Sequence, residues 1–166
     1  MRAPLTSFVR DRGATAATEM ALVTPLLVFL MFGAFEMGNY FHQEHIVAVA
    51  VRDGARFAAR HSFADFSGCA VASDVVTDTR QVTMNGAVSG GSTRIGGWTD
   101  PGTITVGATC YDDRTYSNAG IYADNADGSP AVKVEATVDY QPLFGILGFL
   151  SNLKLYARSE AAVIGT

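Results

Sequence analysis

Between Ala14 and Phe35 the chain reads ATAATEMALVTPLLVFLMFGAF, and this segment limits the fold more than any other. From Met20 to Phe35 no side chain is charged. As a helix that stretch spans about 24 Å, slightly short of a bilayer core. Extending it back to Ala14 supplies the missing length but takes in Glu19. A carboxylate carried to the bilayer centre costs roughly 2.5–3.5 kcal/mol, so Glu19 needs a reason. Pro25 is tolerable in a membrane helix, where a kink can be re-satisfied by neighbours.

The flanks set an orientation. Residues 1–13 carry Arg2, Arg10 and Arg12 against Asp11 alone. A basic flank before an apolar run stays cytoplasmic, and the chain beyond the run is exported. Without that flank the chain keeps 9 of its 12 basic and 15 of its 16 acidic residues. The exported part is therefore acidic and lacks the basic footprint of a nucleic-acid binder. A cleaved secretory signal is disfavoured, because no small-x-small site follows Phe35.

The helical pattern continues past the apolar run. Glu36 to His61 contains no proline, and Met37, Tyr40, Phe41, Val47, Val51, Ala55 and Ala58 recur at helical spacing. One face is small, with Ala48, Gly54, Ala55, Ala58 and Ala59. A helix from Ala14 to His61 would be about 70 Å long.

The remainder reads as mixed α/β. Ser62–Ser73 is a turn. Ser73 is placed to cap a helix over Asp74–Asn85 that Gly86 ends, with Val75, Thr79 and Val82 inward. Ser89–Gly102 is a loop by composition. Three segments alternate apolar and polar residues: Thr103–Tyr111, Ala131–Gln141 and Leu153–Ile164. Period-two alternation marks half-buried antiparallel strands. Cys69 and Cys110 both lie beyond the apolar segment, and a pair on the exported side points to a disulfide in an oxidising compartment. With Cys110 on the inner face of its strand, closing that loop would contribute about 4 kcal/mol in the chain-entropy account.

The basic leader, Arg12-Gly13-Ala14-Thr15-Ala16, Glu19, Ala21-Leu22-Val23-Thr24-Pro25-Leu26-Leu27, and Phe32-Gly33-Ala34-Phe35-Glu36-Met37-Gly38 together resemble TadE/TadG-like proteins. These are pseudopilins of the tight-adherence, or Flp-type, pilus. Val51-Arg52-Asp53-Gly54-Ala55-Arg56-Phe57-Ala58-Ala59-Arg60 resembles the second half of that family's long helix. The likeness covers about residues 9–60 and elsewhere is one of layout.

The resemblance implies an α+β, pilin-like fold: a long N-terminal helix, transmembrane then exported, packed on a small antiparallel sheet of about three strands. It implies a leader 1–13, a transmembrane half 14–35, an exported half 36–61 and an extracytoplasmic domain 62–166. A prepilin-type aspartyl peptidase would cut after Gly13 or Ala14. Glu19 would then pair with the new N-terminal amine of a neighbouring subunit, since a buried ion is tolerable when paired. In the family the glutamate is fifth in the mature chain. Here a cut after Gly13 makes Glu19 sixth, and a cut after Ala14 makes it fifth. Glycine is the usual residue before the cut, which favours Gly13–Ala14. The competing reading of Glu19 is an interfacial acid favoured by the helix dipole.

The implied function is that of a minor pseudopilin in pilus assembly, initiation or tip formation. Its partners would be the inner membrane, the peptidase, other pilins and pseudopilins, and the platform proteins. The alternative is an unprocessed, single-pass periplasmic binding or scaffold domain. In both readings the N-terminus is cytoplasmic and the C-terminal domain periplasmic; the first adds entry into an extracellular pilus.

Catalytic signals are weak, and no enzyme activity, cofactor or metal is expected. His42 and His45 flank Glu44 without a further ligand cluster. Tyr122–Gly128 offers loop oxygens, read as a turn rather than a calcium loop. Pro142–Leu150 is too short to span a bilayer; it reads as a short closing helix or turn, or else as an exposed apolar patch.

Overall fold

A computed structural model describes residues 12–111, 120–123, 125, 127–145 and 152–165, with side chains from residue 16 onward. The fold is α+β: a long N-terminal helix and a three-stranded antiparallel sheet in the order β1-β2-β3. The elements are α1 (Arg12–Ala58), α2 (Ser73–Asn85), β1 (Ile104–Tyr111), β2 (Ser129–Asp139) and β3 (Lys154–Ala162). Short 3-10 turns occupy Phe63–Cys69, Pro101–Thr103 and Gly120–Tyr122. By contacts the chain divides into Met1–Asn39 and Tyr40–Thr166.

Within Tyr40–Thr166, the inner stripe of α1 is the one its spacing predicts. Val47, Val51, Ala55 and Ala58 have no exposed surface. Val47, Val51 and Ala55 pack with Ile104 of β1, Val134 of β2 and Leu155 of β3. A second cluster joins Ala58 and Ala59 to Phe66, Val75, Val132 and Val163. Burying these side chains at roughly 25 cal/mol per Å² of apolar surface is what holds the helix layer on the sheet.

α1 stops at Ala58, short of His61. Arg60 N–H donates to Phe57 O and His61 N–H to Ala58 O, at 3.2 and 3.1 Å, so the last turn tightens. Ser62 is extended and forms a reciprocal cap with Asp65, which starts the 3-10 segment over Phe63–Cys69. The Ala59 carbonyl is taken by Ile164 N–H at 2.9 Å.

The start of α2 differs from the sequence expectation. Ala72, not Ser73, is the capping residue, and it makes no side-chain cap bond. Ala72 N–H donates to Asp65 O, and its own carbonyl accepts Val76 N–H, so a tertiary backbone bond sets the entry one residue early. Gly86 ends the helix at φ 78°, a conformation that favours glycine. Val75, Thr79 and Val82 face inward as their spacing predicts, and Thr83 and Met84 are buried with them.

β1 begins at Ile104, and β2 runs Ser129–Asp139, two residues earlier than its alternation suggests at each end. Tyr140 lies beyond β2 but is 3% exposed, donates its N–H to Leu153 O at 2.9 Å and stacks edge-on against Tyr40. The register pairs charges on the outer face. Asp139 faces Lys154, Glu135 faces Arg158 and Lys133 faces Glu160. Opposite charges across a pair support one register over its neighbours.

The loop before β1 contributes more to the core than its composition indicates. Ile95 and Trp98 are 5% and 2% exposed and join the first cluster. Trp98 Nε1–H donates to Thr103 Oγ1 at 2.8 Å, which satisfies the buried indole.

Candidate assembly site

The first half of α1 displays its apolar side chains. Leu22, Leu26, Leu27, Phe29, Leu30 and Phe35 are each more than half exposed. A folded soluble domain rarely leaves so continuous an apolar surface uncovered. The helix over Ala16–Ala58 is long and apolar enough to cross a membrane. Pro25 lies inside it, and an added Cβ at Gly33 or Gly38 would meet nothing within 4 Å.

Gly13 and Ala14 stand in the first turn of α1. Glu19 follows on the same helix, exposed, and its carboxylate makes no hydrogen bond or ion pair with the described residues. From Ala14 to Glu19 the helix rises about 7.5 Å. An unpaired carboxylate within an apolar helix can accept a cation from outside the subunit. Glu36, which reads in the sequence as the residue ending the apolar run, is 2% exposed. Nothing local distinguishes it, because carboxylates border apolar runs routinely.

Cys69 and Cys110 are joined in a disulfide, with Cα atoms 5.7 Å apart. The bridge ties the 3-10 segment to the end of β1. Gly68 N–H donates to Asp127 Oδ2 at 2.8 Å beside it. Tyr122 Oη–H donates to Val163 O at 2.8 Å, and Asn125 Oδ1 accepts Asp127 N–H. The oxygens of Tyr122–Gly128 thus tether a turn; Asp124 and Ala126 lie outside the described residues.

His42 and His45 are exposed on α1. Among the described residues, no three His, Cys, Asp or Glu side chains lie close enough to share a metal. Pro142–Gly145 forms a turn, and the rest of the apolar Pro142–Leu150 segment lies outside the described residues.

Two further contacts went unread in the sequence. Gln43, 8% exposed, donates Nε2–H to Gln141 O at 2.7 Å and accepts Gln141 N–H on Oε1 at 3.1 Å. One amide thereby clamps the backbone after β2 onto α1. Arg94 pairs with Asp53 at 2.9 Å and holds the loop against the same helix.

The outer sheet face is polar. Tyr111 Oη–H donates to Glu160 Oε1 at 2.8 Å, and that bond together with the Glu160 charge holds the phenol above its ordinary range. The Lys133 ammonium, 2.7 Å from Glu135 Oε1, holds that carboxyl below its ordinary range, helped by Tyr156 Oη–H.

These features define a class: an α+β domain whose first helix runs on as an exposed apolar segment with a lone carboxylate. Residues 13–56 match the family model described as TadE-like protein. The match starts at Gly13 and ends within α1, so it covers the helix and leaves α2 and the sheet outside it. No curated protein and no solved structure matches the chain.

Proposed function

We propose that this protein is a minor pseudopilin of a tight-adherence, Flp-type pilus or a related secretion-like system. It acts in assembly, initiation or tip formation, by contact rather than catalysis. The observation that carries this reading is the TadE-like match over residues 13–56, which contains Glu19 inside an exposed apolar helix. The helix anchors the chain in the inner membrane with the N-terminus cytoplasmic. A prepilin-type peptidase removes the leader at Gly13 or Ala14. Glu19 then meets the N-terminal ammonium of an adjacent pilin, and the domain beyond the helix contacts other pilins and platform proteins. A separate sheet domain favours a minor component, since the family's major pilins are very short chains.

A second reading is supported by one departure: after a cut at Gly13, Glu19 is sixth rather than fifth. An unprocessed, membrane-anchored binding or scaffold domain needs no such spacing. The mass of the N-terminal peptide, with and without a prepilin peptidase co-expressed, separates the two. A new terminus at Ala14 or Thr15 supports the pseudopilin; an intact leader in the presence of active peptidase overturns it.

A further inference from the structure

Gly54 gives α1 and α2 a common reference point. An added Cβ there would meet Thr83 and Thr79 of α2, so that side of α1 carries α2. At about 100° per residue, Arg52 and Arg56 each stand about 160° from Gly54 and straddle the far side of the helix. Both are exposed. On α2, Thr79 and Thr83 are buried. Asp74 and Asp78 stand about 160° and 120° round from them. Asp74 is exposed and Asp78 half-buried. The basic pair and the acidic pair thus leave opposite sides of the α1–α2 crossing, too far round to meet within one chain.

Neither pair is matched locally. None of the four side chains makes a hydrogen bond or ion pair with the described residues. The only acid three or four residues from Arg52 or Arg56 is Asp53, and Arg94 holds it at 2.9 Å. No base stands three or four residues from Asp74 or Asp78. Like charges at i and i+4 weaken a helix, so each pair burdens its own element until opposite charge arrives from outside. The helix dipole favours Asp74 in the first turn of α2 but does little for Asp78 beyond it.

We propose that the Arg52–Arg56 face of α1 in one copy docks the Asp74–Asp78 face of α2 in a second copy. Each pair sits at i and i+4, so on both helices the charges are about 6 Å apart and two ion pairs form in a single register. The two faces differ and lie on opposite sides of the crossing, which makes the contact head-to-tail. Each joined pair keeps one basic and one acidic face free, so the contact repeats. Exposed ion pairs are individually weak. The contact therefore sets register between copies already held side by side and does not gather them from dilute solution. It uses residues within Tyr40–Thr166 alone and asks nothing of the leader. An uncut chain leaves it standing, and its failure leaves the pseudopilin reading standing.

The test uses the full chain in detergent micelles crowded enough to hold two copies. One tagged copy carries Val49→Cys, on the basic face of α1, and a differently tagged copy carries Thr77→Cys, between the two acids of α2. The native cysteines are bonded to each other and stay silent. A short bismaleimide should join the two tags at least fivefold more than it joins Thr105→Cys, on the outer sheet face, to Thr77→Cys. Arg52→Glu with Arg56→Glu in the first copy should lower the yield about fivefold. Adding Asp74→Lys with Asp78→Lys to the second copy should restore it, which misfolded variants would not do. Raising salt from about 0.05 M to about 0.5 M should lower the yield of the parent pair and of the charge-swapped pair alike. Unchanged yield after the arginine reversal overturns the proposal. So does Val49→Cys joining to itself as well as to Thr77→Cys, a yield no higher than the Thr105→Cys control, or no restoration by the swapped pair.

Discussion

Gly54→Ala is the substitution whose cost the structure sets most directly. Gly54 is buried on α1 where α2 crosses it. An added Cβ would run into Thr83 Oγ1, lie 3.3 Å from Thr83 Cβ and 3.6 Å from Thr79 Cγ2. Turning the hydroxyl away does not move Thr83 Cβ, and it breaks the 2.7 Å bond from Thr83 Oγ1 to Thr79 O in a buried position. Overpacking of this kind costs about 1–3 kcal/mol. An orphaned buried hydroxyl costs about 1–3 kcal/mol more. Against these, alanine gains about 1 kcal/mol over glycine inside a helix. The balance is a loss of about 1–5 kcal/mol, and its midpoint corresponds to a fall of about 10 °C in Tm for a domain of this size. Thermal unfolding followed by Trp98 fluorescence measures it, since the only tryptophan is 2% exposed and reports on the core. Gly38→Ala serves as the control, because its Cβ would meet nothing within 4 Å. Pairing Gly54→Ala with Thr83→Ala removes the obstructing atoms and should restore most of the loss, so the two changes couple strongly. A Gly54→Ala variant that melts at or above the parent temperature would falsify the close crossing of α1 and α2.

Other expectations rest on single contacts. Glu19→Ala should leave membrane insertion and leader cleavage intact and lower recovery in sheared pilus fractions; full incorporation of the variant removes the pairing role. Replacing Cys69 and Cys110 by serine should cost up to about 4 kcal/mol, read from denaturant midpoints, and peptide mapping without reductant should find the two joined in envelope protein. Gln43→Ala should cost about 1–3 kcal/mol by removing both side-chain bonds to the Gln141 backbone, with faster amide exchange at Gln141 as its local signature. The pH limbs have opposite signs. Glu135 is held below its ordinary 4.5, so its contribution is present above that value and is lost as pH falls through the lowered one. Tyr111 is held above its ordinary 10.0, so its contribution is present below pH 10.0 and is lost as pH rises through the raised value. Glu135→Gln should flatten the acid limb of a Tm–pH curve, and Tyr111→Phe the alkaline limb.

Much of the architecture is legible in the residues alone. Period-two alternation places three strands, because a sheet with one buried face forces every second residue inward. Helical spacing selects Val47, Val51, Ala55 and Ala58 as the inner stripe, and all four have no exposed surface. The basic leader, the apolar run and its single acid resemble the TadE-like pattern, and residues 13–56 match that family model. These are local signals, repeated over many residues, and tertiary context reinforces them rather than reversing them.

What the sequence could not decide depends on partners distant along the chain. Ile95 and Trp98 sit in a stretch whose glycines and polar residues read as loop; burial came from the cluster that α1 and the sheet form around them. Ser73 carries the right side chain for a cap, yet a backbone bond from Ala72 to Asp65 moves the helix start. Gly54 looks like one of several small residues until Thr83 is set against it. Gln43 is an unremarkable polar helix residue until the end of β2 arrives beside it. Which strand is central is decided by pairing order, and pairing order is a property of the folded chain.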